Sequence, residues 1–183
     1  MHKEFVFAGF GGQGVLTAGM VLAYTGAAKD YDVTWIPSYG TEMRGGTANC
    51  TVKLSDEEIA NPFYKRPDIL VAMNKPSLLK FMDSVKKGGS IIVNSTIIHE
   101  MPEVEGVDIH MVPVSDIAAG LGNARSANLC ALGAAVAVAE DIISIDDAAD
   151  GISGYFTKIK DNGSNIAVLK AGYAAVKQPS ADV

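Results

Sequence analysis

Residues 4–8 (EFVFA) form a short apolar, aromatic run that stops at Gly9, the pattern of a short strand. Over residues 14–28 the period changes, and Val15, Leu16, Ala18, Val21, Leu22 and Thr25 recur at helical spacing. The chain therefore opens as strand, glycine turn and helix. Residues 32–36 (DVTWI) predict a second strand closed by Pro37, residues 38–47 a polar glycine-containing loop, and residues 48–54 a third strand. Further strands are expected at 68–73 (DILVAM), 90–94 (SIIVN) and 108–112, with a helix at 76–87 between the first two. Ser115 and Asp116 offer a cap for a short helix before Gly120. Residues 126–140 are rich in alanine and leucine and predict a mostly buried helix, facing either the core or a partner chain. Two more helices are expected at 145–160 and 164–177, before a frayed tail at 178–183. Strands alternating with helices predict an α/β fold: a single Rossmann-like domain over 1–183, with a largely parallel sheet flanked by helices.

Composition narrows the chemistry. The net charge is −6 with no local basic patch, which argues against nucleic acid or an anionic membrane as a partner. Residues 1–4 lead directly into a strand without a basic n-region, and no uncharged apolar run reaches the roughly 18 residues of a membrane span. The expectation is a soluble, cytoplasmic protein. Cys50 and Cys130 stand alone, and His2, His99 and His110 lie in separate segments, so the chain by itself offers neither the four thiolates of a typical iron–sulfur cluster nor a metal-ligand spacing. No histidine is near Cys130, Ser126 or Asp116 in sequence, and a cysteine in an alanine-rich helix reads as packing, as does Met43. Asp146, Asp147 and Asp150 suit the start of a helix and need no metal. Asn128 is suited to bonding a loop or partner backbone, or to capping its helix.

Two segments carry candidate chemistry. Residues 9–14 (GFGGQG) place Gly9, Gly11 and Gly14 in the spacing GxGxxG between a strand and a helix, with Gly12 and Gln13 between them. Such a loop lets a pyrophosphate approach the backbone at a helix N-terminus, or it permits close packing of the turn, the helix and a neighbouring chain. A dinucleotide site also wants an acid after the second strand to hold the ribose. That strand ends Trp35-Ile36-Pro37, and Asp30 and Asp32 lie at its start, so NAD and FAD are disfavoured. In residues 38–47 (SYGTEMRGGT), Ser38, Tyr39, Glu42 and Arg44 are gathered with Gly45 and Gly46. Arg44 is suited to pairing with an anionic ligand or a partner carboxylate, or to an internal contact with Glu42. Loops leaving the carboxyl ends of adjacent strands share a crevice, so the two segments are expected to be neighbours.

GFGGQGV (9–15) and PSYGTEMRGGTANC (37–50), continued by SDEEIANP (55–62) and PDILVAMNKPSL (67–78), resemble the gamma subunit of the 2-oxoacid:ferredoxin oxidoreductases over essentially the whole chain. The resemblance implies a complex that uses thiamine diphosphate to decarboxylate a 2-oxoacid oxidatively to an acyl-CoA, passing electrons through iron–sulfur clusters to ferredoxin. It assigns thiamine diphosphate, magnesium and the clusters to alpha and beta subunits and a ferredoxin-like delta subunit, with CoA as co-substrate. It gives this chain no catalytic residue, and a place that completes the assembly near the route by which CoA reaches the thiamine adduct; the residues expected to face a ligand or a partner are Gly9, Gly11, Gly12, Gln13, Gly14, Ser38, Tyr39, Glu42, Arg44, Gly45 and Gly46, a CoA contact being a hypothesis beyond the motif match. SYGTEMRGG followed by SDEEI looks like the 2-oxoglutarate and branched-chain branches more than the pyruvate branch, 2-oxoglutarate being the first expectation. Thr41 departs from the proline that related chains often carry; it leaves the loop less rigid and removes no chemistry. The competing readings are a nucleotide-dependent dehydrogenase and a small nucleotide- or ligand-binding module without catalysis.

Overall fold

The computed structural model describes residues 1–39, 47–62 and 66–178. In chain order the strands are β1 (His2–Phe10), β2 (Asp32–Tyr39), β3 (Thr47–Ser55), β4 (Ile69–Ala72), β5 (Ser90–Asn94) and β6 (Asp108–Val112). The helices are α1 (Val15–Ala28), α2 (Lys75–Phe81), α3 (Val114–Gly120), α4 (Ala127–Ala137), α5 (Ile145–Tyr155) and α6 (Gly163–Lys177). The strands form one sheet in the order β2-β3-β1-β4-β5-β6. β1, β4, β5 and β6 are paired in parallel, whereas β3 is antiparallel to both β1 and β2. The fold is thus α/β with a mostly parallel sheet, and β3 is the strand that runs against the rest.

The unbroken apolar run of β1 is explained by its position, with sheet on both sides and cover on both faces. Phe5 and Phe7, stacked with ring centroids 6.5 Å apart, point to the face under α1, α4 and α5. Val6 and Ala8 point to the other, under Leu78 and Phe81 of α2. Each fully buried phenylalanine contributes roughly 1.5–3 kcal/mol by removal of apolar area from water. α4 is buried from Asn128 to Ala137, which settles its orientation: it lies in the core of this chain. It approaches α6 closely because a Cβ on Gly133 would overlap the Leu169 carbonyl, and one on Gly172 the Cys130 carbonyl.

Several boundaries differ from the sequence reading. Pro37 does not close β2 but lies within it, opposite Cys50; β2 is the sheet edge, where a residue without an N–H is tolerated. α2 ends at Phe81, and residues 82–84 tighten into a 3₁₀ turn in which the Ser84 hydroxyl donates to the Phe81 carbonyl at 2.6 Å. Ser115 caps nothing: Pro113 occupies the N-cap position of α3, and Ser115 Oγ accepts instead from Asn94 Nδ2 at 3.0 Å. α4 and α5 stop at Ala137 and Tyr155, short of the expected 140 and 160. The acidic start of α5 is a capping box, Ser144 with Asp147; a hydrogen bond and ion pair with Lys29, 2.9 Å away, hold the Asp147 carboxyl below the usual carboxylate range.

Candidate functional site

From β1 the chain passes through α1 to β2 on one side, and β4 is added later on the other side of β1. The carboxyl ends of β1 and β4 are therefore the point where the winding reverses, the usual ligand crevice of an open α/β sheet. Here Gln13 occupies it. Its Oε1 accepts from the Phe10 N–H at 2.7 Å and from Asn74 Nδ2 at 2.9 Å, and its Nε2 donates to the Met73 carbonyl at 3.2 Å. Asn74, 2% exposed, in turn accepts from the Ser77 N–H at 2.9 Å and caps α2. One glutamine amide thus ties the glycine loop to the β4–α2 turn. A second tie comes from α4, where Asn128 Nδ2 donates to the Gly14 carbonyl at 3.0 Å; the Asn128 side chain bonds the loop and does not cap its helix.

The glycines divide by role. A Cβ on Gly9 would meet Gln13 Oε1 at 2.8 Å and Val15 Cγ1 at 2.9 Å, so this position is set by packing. Gly14 has φ +72°, and a Cβ there would meet Asn128 Nδ2 at 2.7 Å. Gly11 and Gly12 are exposed, and Gly12, at φ +98°, has open space beside it. No side chain caps α1 among the described residues, so its first N–H groups are open to a ligand or a partner. Phe10, Gly12, Leu16, Thr17 and Ala48 are among the residues around a shallow cavity of ≈ 280 Å³ at this helix end.

The second segment begins and ends at the same sheet edge. Phe10 faces Thr47 across the β1–β3 ladder, and Tyr39 faces Ala48 across β2–β3. Glu42, Arg44, Gly45 and Gly46 lie outside the described residues; Ser38 is the exposed penultimate residue of β2. The strands that lead into the two segments, β1 and β2, are separated by β3, whereas β3, which follows the second segment, lies directly beside β1. The carboxyl end of β2 is consequently two strand spacings, roughly 10 Å, from that of β1. This is a second reason, beside the missing acid, against a ribose held in the Rossmann manner.

The thiols do not fit a cluster or a metal. Cys50 lies in β3 and donates to the Val15 carbonyl at 3.4 Å, while Cys130 is enclosed in α4. Both are fully buried, and burial pushes each thiol up to about 12, away from the thiolate that ligates metals. Among the described residues no three His, Cys, Asp or Glu side chains converge as metal ligands, and no helix is long and apolar enough to cross a membrane. Asn74 escaped the sequence reading as part of the site. Its signal was present: an Asn two residues before Pro76 is a helix start.

Residues 4–175 match the family described as Pyruvate ferredoxin/flavodoxin oxidoreductase. The chain is 37% identical over 166 residues to the ketoisovalerate oxidoreductase subunit VorA of Methanothermobacter marburgensis, the match covering 90% of this chain and 34% of that protein. It is 48% identical over 103 residues to the 2-oxoglutarate synthase subunit KorC of the same organism, covering 55% of this chain and 54% of that one. It thus spans about a third and about half of the length of these two curated relatives. The solved keto/oxoacid ferredoxin oxidoreductase gamma subunit from Geobacter sulfurreducens PCA superposes with a TM-score of 0.79 at 25% identity, over 96% of this chain and 98% of that one. With the match running from within β1 to within α6, the chain belongs to the pyruvate ferredoxin/flavodoxin oxidoreductase family.

Proposed function

We propose that the chain is the gamma component of a cytoplasmic 2-oxoacid:ferredoxin oxidoreductase, accessory to the chemistry and required for the assembled complex. The observation that carries this reading is the family match over residues 4–175, joined to similarity with a gamma subunit of nearly the same extent. In this proposal thiamine diphosphate, magnesium and the iron–sulfur clusters belong to alpha, beta and ferredoxin-like delta partners, and ferredoxin takes the electrons. The donor set supports that division, since the two buried thiols are poor cluster ligands. 2-Oxoglutarate is the first substrate, favoured by the 48% identity to KorC. A branched-chain 2-oxoacid is the second, favoured by the longer alignment with VorA.

The part we assign to this chain is to present Gly9, Gly11, Gly12, Gln13 and Gly14, with Ser38, Tyr39, Glu42, Arg44, Gly45 and Gly46, to a partner chain or to CoA. What supports this is that both segments leave one sheet edge, through the pairs Phe10–Thr47 and Tyr39–Ala48. Gln13 contributes by holding the glycine loop, since its amide is committed to internal bonds.

The test is purification from native cells, followed by Arg44→Ala in the reconstituted complex. The wild-type chain is expected to co-purify with cofactor-bearing chains, and turnover with 2-oxoglutarate against 2-oxoisovalerate identifies the substrate. With the partner of Arg44 outside this chain, Arg44→Ala is expected to leave melting of the isolated chain nearly unchanged. It should weaken assembly, or raise the apparent KM for CoA, by the equivalent of about 2–5 kcal/mol, the loss from removing one member of a desolvated charged pair. A cofactor-free monomer from native cells would refute the function. Destabilisation of the isolated variant with assembly and turnover intact would refute the role of Arg44.

A further inference from the structure

The sheet face opposite α1 is apolar at β1, β4 and β5 but polar along the β2–β3 ladder. In register, Ser38 faces Asn49, Ile36 faces Thr51 and Thr34 faces Lys53; side-chain alternation puts all six on this face. Asn49 and Thr51 are only 8% and 5% exposed. Neither side chain hydrogen-bonds another described residue, and one pair further along Thr34 Oγ1 is buried without a partner. The Asn49 carboxamide and Thr51 hydroxyl, unlike Thr34 Oγ1, are not sealed off, so they are left free to hydrogen-bond whatever occupies the space they face.

What they face is a cavity. Ser38, Asn49, Thr51, Ile36, Lys80 and Phe81 line ≈ 410 Å³ between the β2–β3 ladder and α2, within the size range of small-molecule sites, roughly 300–1,000 Å³. Its floor is polar, and Ile36 and Phe81 supply apolar wall. Lys80, exposed and among the lining residues, holds its ammonium 5.1 Å from the Phe81 ring centroid, with no carboxylate partner among the described residues. A cation beside hydroxyls and a carboxamide, with no acid among the described lining residues, selects an anion that also carries polar groups.

We propose that this cavity binds a small organic anion, its carboxylate or phosphate paired with Lys80 and its hydroxyl or carbonyl groups bonded to Ser38, Asn49 and Thr51. The site is separate from the cavity at the α1 N-terminus and does not depend on the oxidoreductase reading.

The test is calorimetry and saturation-transfer NMR on the full chain with inorganic phosphate, glycerol 3-phosphate and glutarate as probes. Saturable binding of at least one organic anion, tighter than inorganic phosphate, is expected; which one binds tells phosphate from carboxylate. Lys80→Gln should leave the melting temperature unchanged without probe and weaken binding about tenfold, and Thr51→Val should weaken it several-fold. Ser38→Ala, at an exposed position, takes the place of Thr51→Val if that variant does not fold. The proposal is overturned if neither organic anion saturates at millimolar concentration, if inorganic phosphate binds as tightly as both, or if these variants leave binding unchanged.

Discussion

Gln13 hydrogen-bonds groups from two different strand ends and thereby does what neither strand can do alone: it fixes the glycine loop against the β4–α2 turn. Replacing it with alanine leaves the Phe10 N–H, the Met73 carbonyl and Asn74 Nδ2 without this partner. Because leaving half-buried polar groups unsatisfied is penalised more than a net hydrogen bond is rewarded, Gln13→Ala is expected to lower unfolding free energy by about 1–3 kcal/mol. Urea denaturation measures this directly; a change below about 0.5 kcal/mol, the range of ordinary surface substitutions, would mean the loop holds without the glutamine. The residue was visible in the sequence as part of GFGGQG, but nothing there told an outward side chain from an inward one. That depended on Met73 and Asn74, sixty positions away, arriving beside it.

At the scale of elements, the pair α4 and α6 rests on two reciprocal glycines. A Cβ at Gly133 or at Gly172 would meet backbone of the other helix, which cannot rotate away as a flexible side chain can. Gly133→Ala and Gly172→Ala should each destabilise the chain by about 1–3 kcal/mol or more from overpacking, outweighing the roughly 1 kcal/mol gain in helix propensity. Gly120→Ala, at the end of α3 with open space around it, is the control and should be neutral or slightly stabilising. Thermal melting of the three variants decides the matter; similar melting temperatures for all three would show that α4 and α6 separate without penalty. The alanine- and leucine-rich composition announced α4 as mostly buried, but whether the core or a partner covered it was a question of packing.

Considered as a whole molecule, the two cysteines report on global opening. Cys50 and Cys130 are buried in the same core cluster, and each thiol is raised to about 12 by burial, so at neutral pH neither is an available nucleophile in the native state. A thiol-reactive disulfide reagent is therefore expected to label no cysteine in the folded chain and both after unfolding, at a rate set by core opening. Fast labelling of Cys130 under native conditions would contradict the position of α4 in the core. The sheet divides the molecule in another way: at β3 one face carries Ala48, Cys50, Val52 and Leu54, while the other carries Asn49, Thr51 and Lys53, the last in an ion pair with Glu4 at 3.1 Å. This polar half is buried, and it supplies the floor of the proposed anion site.

By itself the sequence determined the local elements, because hydrophobic period, glycine breaks and helix starts act over a few residues. β5 and β6 have the predicted boundaries, α1 and α6 begin within a residue of expectation, and the family was legible in two long motifs taken in order. The tertiary structure alone decided pairing and direction. Residues 48–54 alternate apolar Ala48, Cys50, Val52 and Leu54 with polar Asn49, Thr51 and Lys53, a pattern commoner in antiparallel sheets, but alternation does not name the neighbours; β3 runs against them because residues 32–55 fold back as β2 and β3 and place β3 beside β1. The same long-range pairing let Pro37 stay in a strand by making it an edge, and separated the ends of β1 and β2. It also filled with Gln13 the crevice that the glycine spacing, read locally, offered to a dinucleotide.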